Sequence, residues 1–297
     1  MASPQILVIA PTRIGDAILA TSILAHIENI HPDAEVTLVT STLAAPLFAG
    51  YPQLKRALPV VKQTYNRHWL KVWRATVGTF WQEVWDLRAS IVTFAVRTNR
   101  RHWFRPPPAP LPKVQQYAAA FATGPLPAPR LWPLAAHMAE AARLMPEGER
   151  FLIFAPIANW PPKEWPLAHY ITLARALLAG EYAGYRPVLI CAPDERPRAA
   201  AFAEAFAQTG LLDLSRGNHH LLTIYACMQR AAGFVGNDSG LMHMASAAGI
   251  KTVGLFGPTP NIGADYPHTR YLYAEGKDLA GLSPATVHTQ FVALMNT

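Results

Sequence analysis

The sequence predicts an α/β protein of two domains built on parallel sheets. Three observations predict it. Through the second half, short apolar runs alternate with helix-patterned ones in the repeating order strand, loop, helix. A strand, a turn, an amphipathic run and a second strand open the first half, over residues 6–40. The chain has 297 residues, 51% of them hydrophobic, which suits two domains of roughly 150 each with a sizeable core in both.

In the first half, Ile6-Leu7-Val8-Ile9 is a short buried strand followed by the turn Ala10-Pro11-Thr12-Arg13-Ile14-Gly15-Asp16. Ile18, Leu19, Ile23, Leu24 and Ile27 then repeat at helical spacing over 16–29, and 36–40 is the next strand. The Gly-x-Gly-x-x-Gly fingerprint of dinucleotide binding is absent. A single glycine, Gly15, precedes an acid that would repel phosphate, which argues against a nicotinamide-dependent oxidoreductase.

Residues 55–113 are the least regular stretch. Trp69, Trp73, Val77, Phe80, Trp81 and Val84 follow helical spacing, predicting helix across the Trp-rich segment 65–85. That spacing suits a core helix, and Trp mixed with Lys and Arg equally suits an interfacial membrane contact. Segments 86–88 and 91–96 look like further strand. Pro-rich 106–112 and 124–133 are extended loops, with helices over 114–123 and 135–144. The Pro146-Glu147-Gly148 turn closes the first domain, 1–148.

The second domain, 149–282, alternates cleanly. Strands are predicted at 151–155, 187–191 and 211–214, and helices at 167–178, 198–208 and 221–231. Phe234-Val235-Gly236-Asn237-Asp238-Ser239-Gly240 then passes from an apolar run into turn and N-cap chemistry. A small-residue helix ends near Gly249, and a strand over 252–256 stops at Gly257-Pro258. The last segment, 283–297, holds a helix with Ser283 as cap and Pro284 in its first turn.

Composition narrows the function classes. Charged residues make up only 15% and mean hydropathy is +0.11, yet no run approaches the ~20 apolar residues that span a bilayer. Neither a signal peptide nor a disulfide or metal spacing is visible, and Cys191 and Cys227 read as buried thiols, so a cytoplasmic location is expected. The net charge of +7 is one-sided. Up to Gly148 there are 15 Lys/Arg against 8 Asp/Glu, and within 55–113 there are 12 against 2. A basic first half beside a neutral second half implies an anionic partner. No nucleic-acid module accompanies the basic stretch, which ranks DNA and RNA below a phosphorylated substrate or an anionic membrane surface.

Two positions concentrate chemistry. The turn before the 240s helix offers free N–H groups and partial positive charge to a phosphate, or is simply a capped core helix. Asp16 is either a helix N-terminal acid favoured by the dipole or a carboxylate available as a general base. The residues alone leave both pairs of readings open.

Asn237-Asp238-Ser239-Gly240-Leu241-Met242-His243, together with the 6–16 segment ending in Gly15-Asp16, resembles the ADP-heptose:lipopolysaccharide heptosyltransferases, glycosyltransferase family nine. Lys163-Glu164-Trp165-Pro166 resembles that family's Lys-Arg-Trp-Pro segment, with Glu164 in place of the frequent Arg, and Phe256-Gly257-Pro258-Thr259 its following loop. Ala10-Pro11-Thr12-Arg13 is closer to the second-heptose subgroup. The resemblance implies a GT-B architecture: two Rossmann-like domains with parallel sheets facing a central cleft, the first acceptor-binding and the second donor-binding, and a final helix packed back on the first. It implies inverting transfer of a heptose from ADP-heptose to an anionic lipopolysaccharide core acceptor, at the cytoplasmic face of the inner membrane. Asp16 would be the general base. Lys163 and the helix tip at Ser239, Gly240 and Leu241 would stabilise the departing diphosphate. Glu195 would hold a ribose hydroxyl, with Asp194 as its neighbour, and Asp238 would order the loop or take a sugar hydroxyl. Met242 and His243 would flank the donor, His243 with an equal claim to packing. Thr12, Arg13, Arg97, Arg100 and Arg101 are the acceptor candidates. No Asp-x-Asp pair is present, so neither metal nor other cofactor is expected.

Overall fold

Buried apolar runs form the centre of each sheet, and parallel neighbours are added on both sides of them. The computed structural model describes residues 3–108, 110–257 and 266–297, apart from the side chains of Asn66 and Lys277. Contacts divide the described residues into two compact units, one ending at Trp132 and the other beginning at Pro133.

The first unit runs β1 (Gln5–Ile9), α1 (Ile14–Ile30), β2 (Glu35–Ser41), β3 (Leu54–Val60), α2 (His68–Thr76), β4 (Trp81–Asp86), β5 (Thr98–Trp103) and α3 (Lys113–Phe121). Its five strands are all parallel, in the order β3-β2-β1-β4-β5. The order reverses between β1 and β4, so the crevice where such sheets take ligands lies beyond the carboxyl ends of those two strands. Trp69 and Val72 of α2 pack with Leu7, Ile9, Val39 and Val84 on one face. On the other face His26 of α1 and Phe121 of α3 meet Trp85 edge-on.

The second unit runs α4 (Ala135–Leu144), β6 (Phe151–Ala155), α5 (Leu167–Ala179), β7 (Arg186–Leu189), α6 (Ala200–Ala205), β8 (Leu212–Asp213), α7 (Leu221–Met228), β9 (Gly233–Asn237), α8 (Gly240–Ala247), β10 (Lys251–Phe256), β11 (Thr269–Tyr273) and α9 (Pro284–Met295). Its six parallel strands are ordered β11-β10-β9-β6-β7-β8, with the reversal between β6 and β9. Both units therefore share the doubly wound pattern that the periodicity predicts.

Several expectations change. The helical spacing from Trp69 to Val84 breaks at Thr76, and Trp81–Asp86 is β4, a central strand between β1 and β5. Both faces of β4 are covered, so it lacks the alternation that marks a half-buried strand. Segment 91–96 is no strand: Ile91–Ala95 is a 3-10 turn, and the strand follows it as β5. β3, β5 and β11 have no counterpart in the sequence reading. The helix over 135–144, read into the first domain, packs on α7 in the second unit. There Glu140 accepts from Thr223 Oγ1 at 2.9 Å and meets His219 Nδ1 at 2.9 Å.

The final helix also packs on its own unit. Val287, Phe291 and Leu294 of α9 join Tyr170, Leu173 and Leu177 of α5 in one buried cluster. Each such side chain contributes roughly 1.5–3 kcal/mol when fully buried. Gly233 makes room for this approach, because a Cβ there would lie 2.7 Å from Phe291 Cζ.

Candidate functional site

In the first unit, the end of β2 fixes the turn that leads into α1. Thr40 Oγ1 donates to the Pro11 carbonyl and Ser41 Oγ to the Thr12 carbonyl, both at 2.7 Å. Arg13 is the exposed N-cap of α1 and makes no side-chain cap bond. Asp16 is half-buried in the first turn of α1, where the unpaired N–H groups favour a carboxylate. Across the switch point, Asp86 ends β4 fully buried. Its carboxylate accepts from Ser90 Oγ at 2.6 Å, Ser90 N at 2.8 Å, Arg88 N at 3.0 Å and Thr93 Oγ1 at 3.1 Å, which shapes the loop beyond the strand. Burial raises its carboxyl above the ordinary range despite these bonds.

Two side chains that the sequence reading missed stand within electrostatic reach of Asp16. Burial holds the Lys113 ammonium below its ordinary value, with the charge of Asp16 opposing. Burial pushes the Tyr117 hydroxyl well up, and Asp16 adds to it. Lys113 Nζ lies 4.5 Å from the ring centroid of Phe104 and 5.2 Å from that of Tyr117. Tyr117 Oη is buried with no hydrogen-bond partner among the described residues. Lys113 closes a proline-rich loop, and nothing in its local sequence signals that α3 carries it to Asp16.

The three arginines near β5 are placed differently. Arg100 is level with Glu83, which is level with Ile6, at the start of β1. The turn to Asp16 leaves from the other end of β1, about 10 Å along the sheet. Arg97 lies over the Phe80 ring at 5.9 Å, and Arg101 donates to the Thr93 and Val96 carbonyls at 3.0 and 3.3 Å. The structure does not bring Arg97 or Arg100 to Asp16, and it occupies Arg101 in holding a loop.

The second unit gathers its candidates at the reversal between β6 and β9. Lys163 ends a 3-10 turn beyond β6, and Asp238 follows β9 directly. Lys163 Nζ and Asp238 Oδ2 are 2.5 Å apart. Asn237 holds the two segments together: its Oδ1 accepts from Trp165 N and Tyr170 Oη, both at 3.0 Å, and its Nδ2 donates to the Pro156 carbonyl at 2.8 Å. An amide supplies both signs at one buried position, and apolar residues cannot. Sequence reading quoted Asn237 only as part of the motif.

Ser239 is the N-cap of α8, extended at φ −146° and ψ 171°, yet its side chain makes no cap bond. Its Oγ is buried with no hydrogen-bond partner among the described residues. Gly240 and Leu241 open the helix, whose first turn carries no acid. An oxyanion there would meet a hydroxyl, a helix tip and the Lys163 ammonium together. Met242 is fully buried against β10, where a Cβ on Gly254 would lie 3.1 Å from its Cγ, and this makes it a core side chain. His243 is buried one turn along α8.

Glu195 sits in the loop after β7, its Oε2 accepting from Ala192 N at 3.2 Å, with Asp194 beside it. Arg198, also missed from sequence, reaches back to the β6 loop. It pairs with Glu164 and donates to the Ala158 carbonyl at 3.3 Å, while Glu164 accepts from Ala158 N at 2.7 Å. Glu164, which replaces an arginine of the resembled segment, thus anchors one. Pro258 and Thr259 lie outside the described residues. Among the described residues no group of three or more His, Cys, Asp or Glu is arranged to hold a metal ion.

The profile of glycosyltransferase family 9 (heptosyltransferase) matches residues 96–268, more than half of the chain. The chain belongs to glycosyltransferase family 9. It is 25% identical over 299 residues to lipopolysaccharide heptosyltransferase 2 of Salmonella typhimurium, covering 86% of this chain and 83% of that one. Among solved structures, Escherichia coli ADP-heptose LPS heptosyltransferase II superposes with a TM-score of 0.75 at 21% identity, over 98% of each chain. A family 9 glycosyltransferase from Veillonella parvula gives 0.81 at 17% identity, over 99% of this chain and 97% of that one. These likenesses show the GT-B fold of this family 9 member: two parallel α/β sheets.

Proposed function

We propose that this family 9 enzyme transfers a heptose from ADP-heptose to an anionic lipopolysaccharide core acceptor with inversion. Its relatives include a lipopolysaccharide heptosyltransferase 2, and a solved structural neighbour is named for ADP-heptose. The observation that carries the proposal is the tip of α8: a buried Ser239 hydroxyl with no hydrogen-bond partner among the described residues, next in sequence to Asp238, which pairs with Lys163. In-line displacement at the anomeric carbon drives charge onto the departing diphosphate. Lys163, Ser239 Oγ and the N–H groups at Gly240 and Leu241 would receive that charge as it develops. Glu195 would take a ribose hydroxyl of the donor.

On the acceptor side Asp16 would remove the hydroxyl proton as it attacks. Lys113, within electrostatic reach of Asp16, would attract the acidic acceptor alongside Thr12 and Arg13. In this reading Lys163 and the helix tip take the place a metal would otherwise fill. The reaction belongs at the cytoplasmic face of a membrane, where its acceptor is anchored. Among the described residues no helix is long and apolar enough to cross that membrane.

The test is mass spectrometry of the purified protein with ADP-heptose and a heptose-deficient core acceptor, with and without excess EDTA. The expected product is heptosylated core of inverted anomeric configuration plus ADP, at equal rates in both. Donor binding without transfer across a panel of core acceptors would instead make the chain a nucleotide-sugar binding protein. Loss of transfer in EDTA would overturn the assignment of the leaving-group charge to Lys163.

A further inference from the structure

The first unit carries a surface that transfer chemistry does not use. Between Lys55 and Lys113 there are 12 Lys/Arg and two acids, Glu83 and Asp86. Both acids are buried, Glu83 against His31 and His102 and Asp86 in its own loop. The sequence therefore supplies this region with negative charge only where solvent cannot see it. Glu35 pairs with Lys55 at its edge, but Arg67, Lys71, Arg74 and Arg88 make no ion pair among the described residues.

α2 lies on that face. His68, Val72 and Thr76 turn inward, one helical turn apart. Arg67, Leu70, Lys71 and Arg74 fall within about 100° of one another on the opposite, exposed side. Beside α2 runs the 3-10 turn Ile91–Ala95, tied to it by Trp73 Nε1 donating to the Ala95 carbonyl at 3.1 Å and by Arg88 over the Trp69 ring at 5.4 Å. This layer leaves large apolar side chains in solvent: Leu70 is 48% exposed, Phe94 57% and Ile91 85%. A groove of about 270 Å³ between β3 and α2, lined by Leu58, Val60, Val61 and Val72 with Lys71 among them, adjoins it.

Apolar side chains set among unopposed cations match a surface that is anionic outside and apolar within. We propose that the outer face of α2, with the Ile91–Ala95 turn beside it, docks the enzyme on an anionic phospholipid bilayer. Lys71, Arg74 and Arg88 meet headgroup phosphates, and Leu70, Ile91 and Phe94 enter the headgroup boundary. The inference deepens the reading of a membrane-anchored acceptor, and rests on that reading only for its purpose.

The test is co-sedimentation of the full chain with vesicles of phosphatidylcholine alone or mixed equally with phosphatidylglycerol, with neither donor nor acceptor present. Binding to the mixed vesicles is expected, weakening with salt, and little to phosphatidylcholine alone. Lys71→Glu/Arg74→Glu should lower the vesicle affinity by at least about tenfold, since each basic residue near an anionic surface counts. Leu70→Ser/Phe94→Ser should abolish the fraction that survives high salt. Arg143→Glu/Arg175→Glu, an equal charge change at exposed positions of the second unit, should bind as the parent does. Thermal melting checks that each variant is folded. Equal binding to both vesicle types, or equal loss in the two charge variants, would overturn the proposal. So would binding to duplex DNA, lost with the Lys71/Arg74 pair, in a chain that ignores vesicles. Transfer to a water-soluble core acceptor is read separately, so the enzyme assignment stands or falls on its own.

Discussion

At the switch point of the first unit, the helix after β1 carries an acid, Asp16, in its first turn. At the switch point of the second, the helix after β9 carries none there, and the serine hydroxyl buried at its tip has no hydrogen-bond partner among the described residues. Strand order and helix placement are alike, so the topology does not decide what each crevice attracts. The first turn does. An acid at that position uses up the helix dipole and leaves a carboxylate to act on a proton. A bare tip leaves the dipole free for an incoming anion, and the neighbouring acid, Asp238, is already matched by Lys163.

The sharpest way to break this contrast is Asp16→Asn. Transfer should fall by about 10²–10⁴-fold, the usual worth of a positioned base. ADP binding by calorimetry and the melting temperature should stay near those of the parent. An unchanged rate would remove Asp16 from the chemistry. Next in size, Lys163→Ala should cost about 10²–10³-fold in kcat, as loss of one charge-stabilising donor does elsewhere. It should also weaken ADP binding, which Asp16→Asn should not, and this split between variants is the test of the two roles.

Stability should separate the units as well. Burial works to raise the Glu83 carboxyl, but bonds from His102 and His31 outweigh it and hold the group at about 2, against 4.5 ordinarily. A depressed carboxyl gives stability that is whole above its unfolded value and is lost as pH falls through its folded one. The first unit should therefore lose roughly 3 kcal/mol between about pH 4.5 and 2. Trp85, stacked on His102 at 3.7 Å, should report this by fluorescence. In the second unit Glu140 is held low by bonds from His219 and Thr223, but it is partly exposed, and such pairs contribute little. Glu83→Gln should remove the acid-sensitive step from the Trp85 signal.

The smallest effects compare two serine caps. Ser283 Oγ accepts from Thr286 N at 3.1 Å, so Ser283→Ala should cost about 1 kcal/mol by chemical denaturation. Ser239 makes no such bond. Ser239→Ala should leave stability within about 0.5 kcal/mol and weaken ADP binding by roughly threefold to tenfold, the worth of one ordinary hydrogen bond. If Ser239→Ala destabilises as much as Ser283→Ala, the hydroxyl is structural.

Much of this was legible beforehand, for reasons visible in particular residues. Residues 151–155 form a strand and 167–178 fall within a helix, because a short apolar run and a long amphipathic one leave little choice of period. Turns at predicted strand ends put Asp16 and Asp238 where a crevice opens, and the resemblance to glycosyltransferase family nine singled out Lys163. Strand β4 was hidden because Trp81 and Val84 fit a helical spacing as well as a strand buried on both faces. β3 and β5 were hidden by charge: Lys55, Arg56, Arg100 and Arg101 on edge strands look like loop, yet edges are where such residues are tolerated. Lys113, Tyr117 and Arg198 act through contacts between separate elements, which no local pattern encodes.

The amide of Asn237 has a consequence for redesign. It joins the end of β9 to the Lys163 loop and to α5, so the cation's address is written in three distant stretches of chain. Grafting only residues 156–165 from a relative with another sugar preference would import the lysine without its moorings. Whoever wishes to retune this proposed donor site has to move that loop, position 170 and position 237 as one cassette.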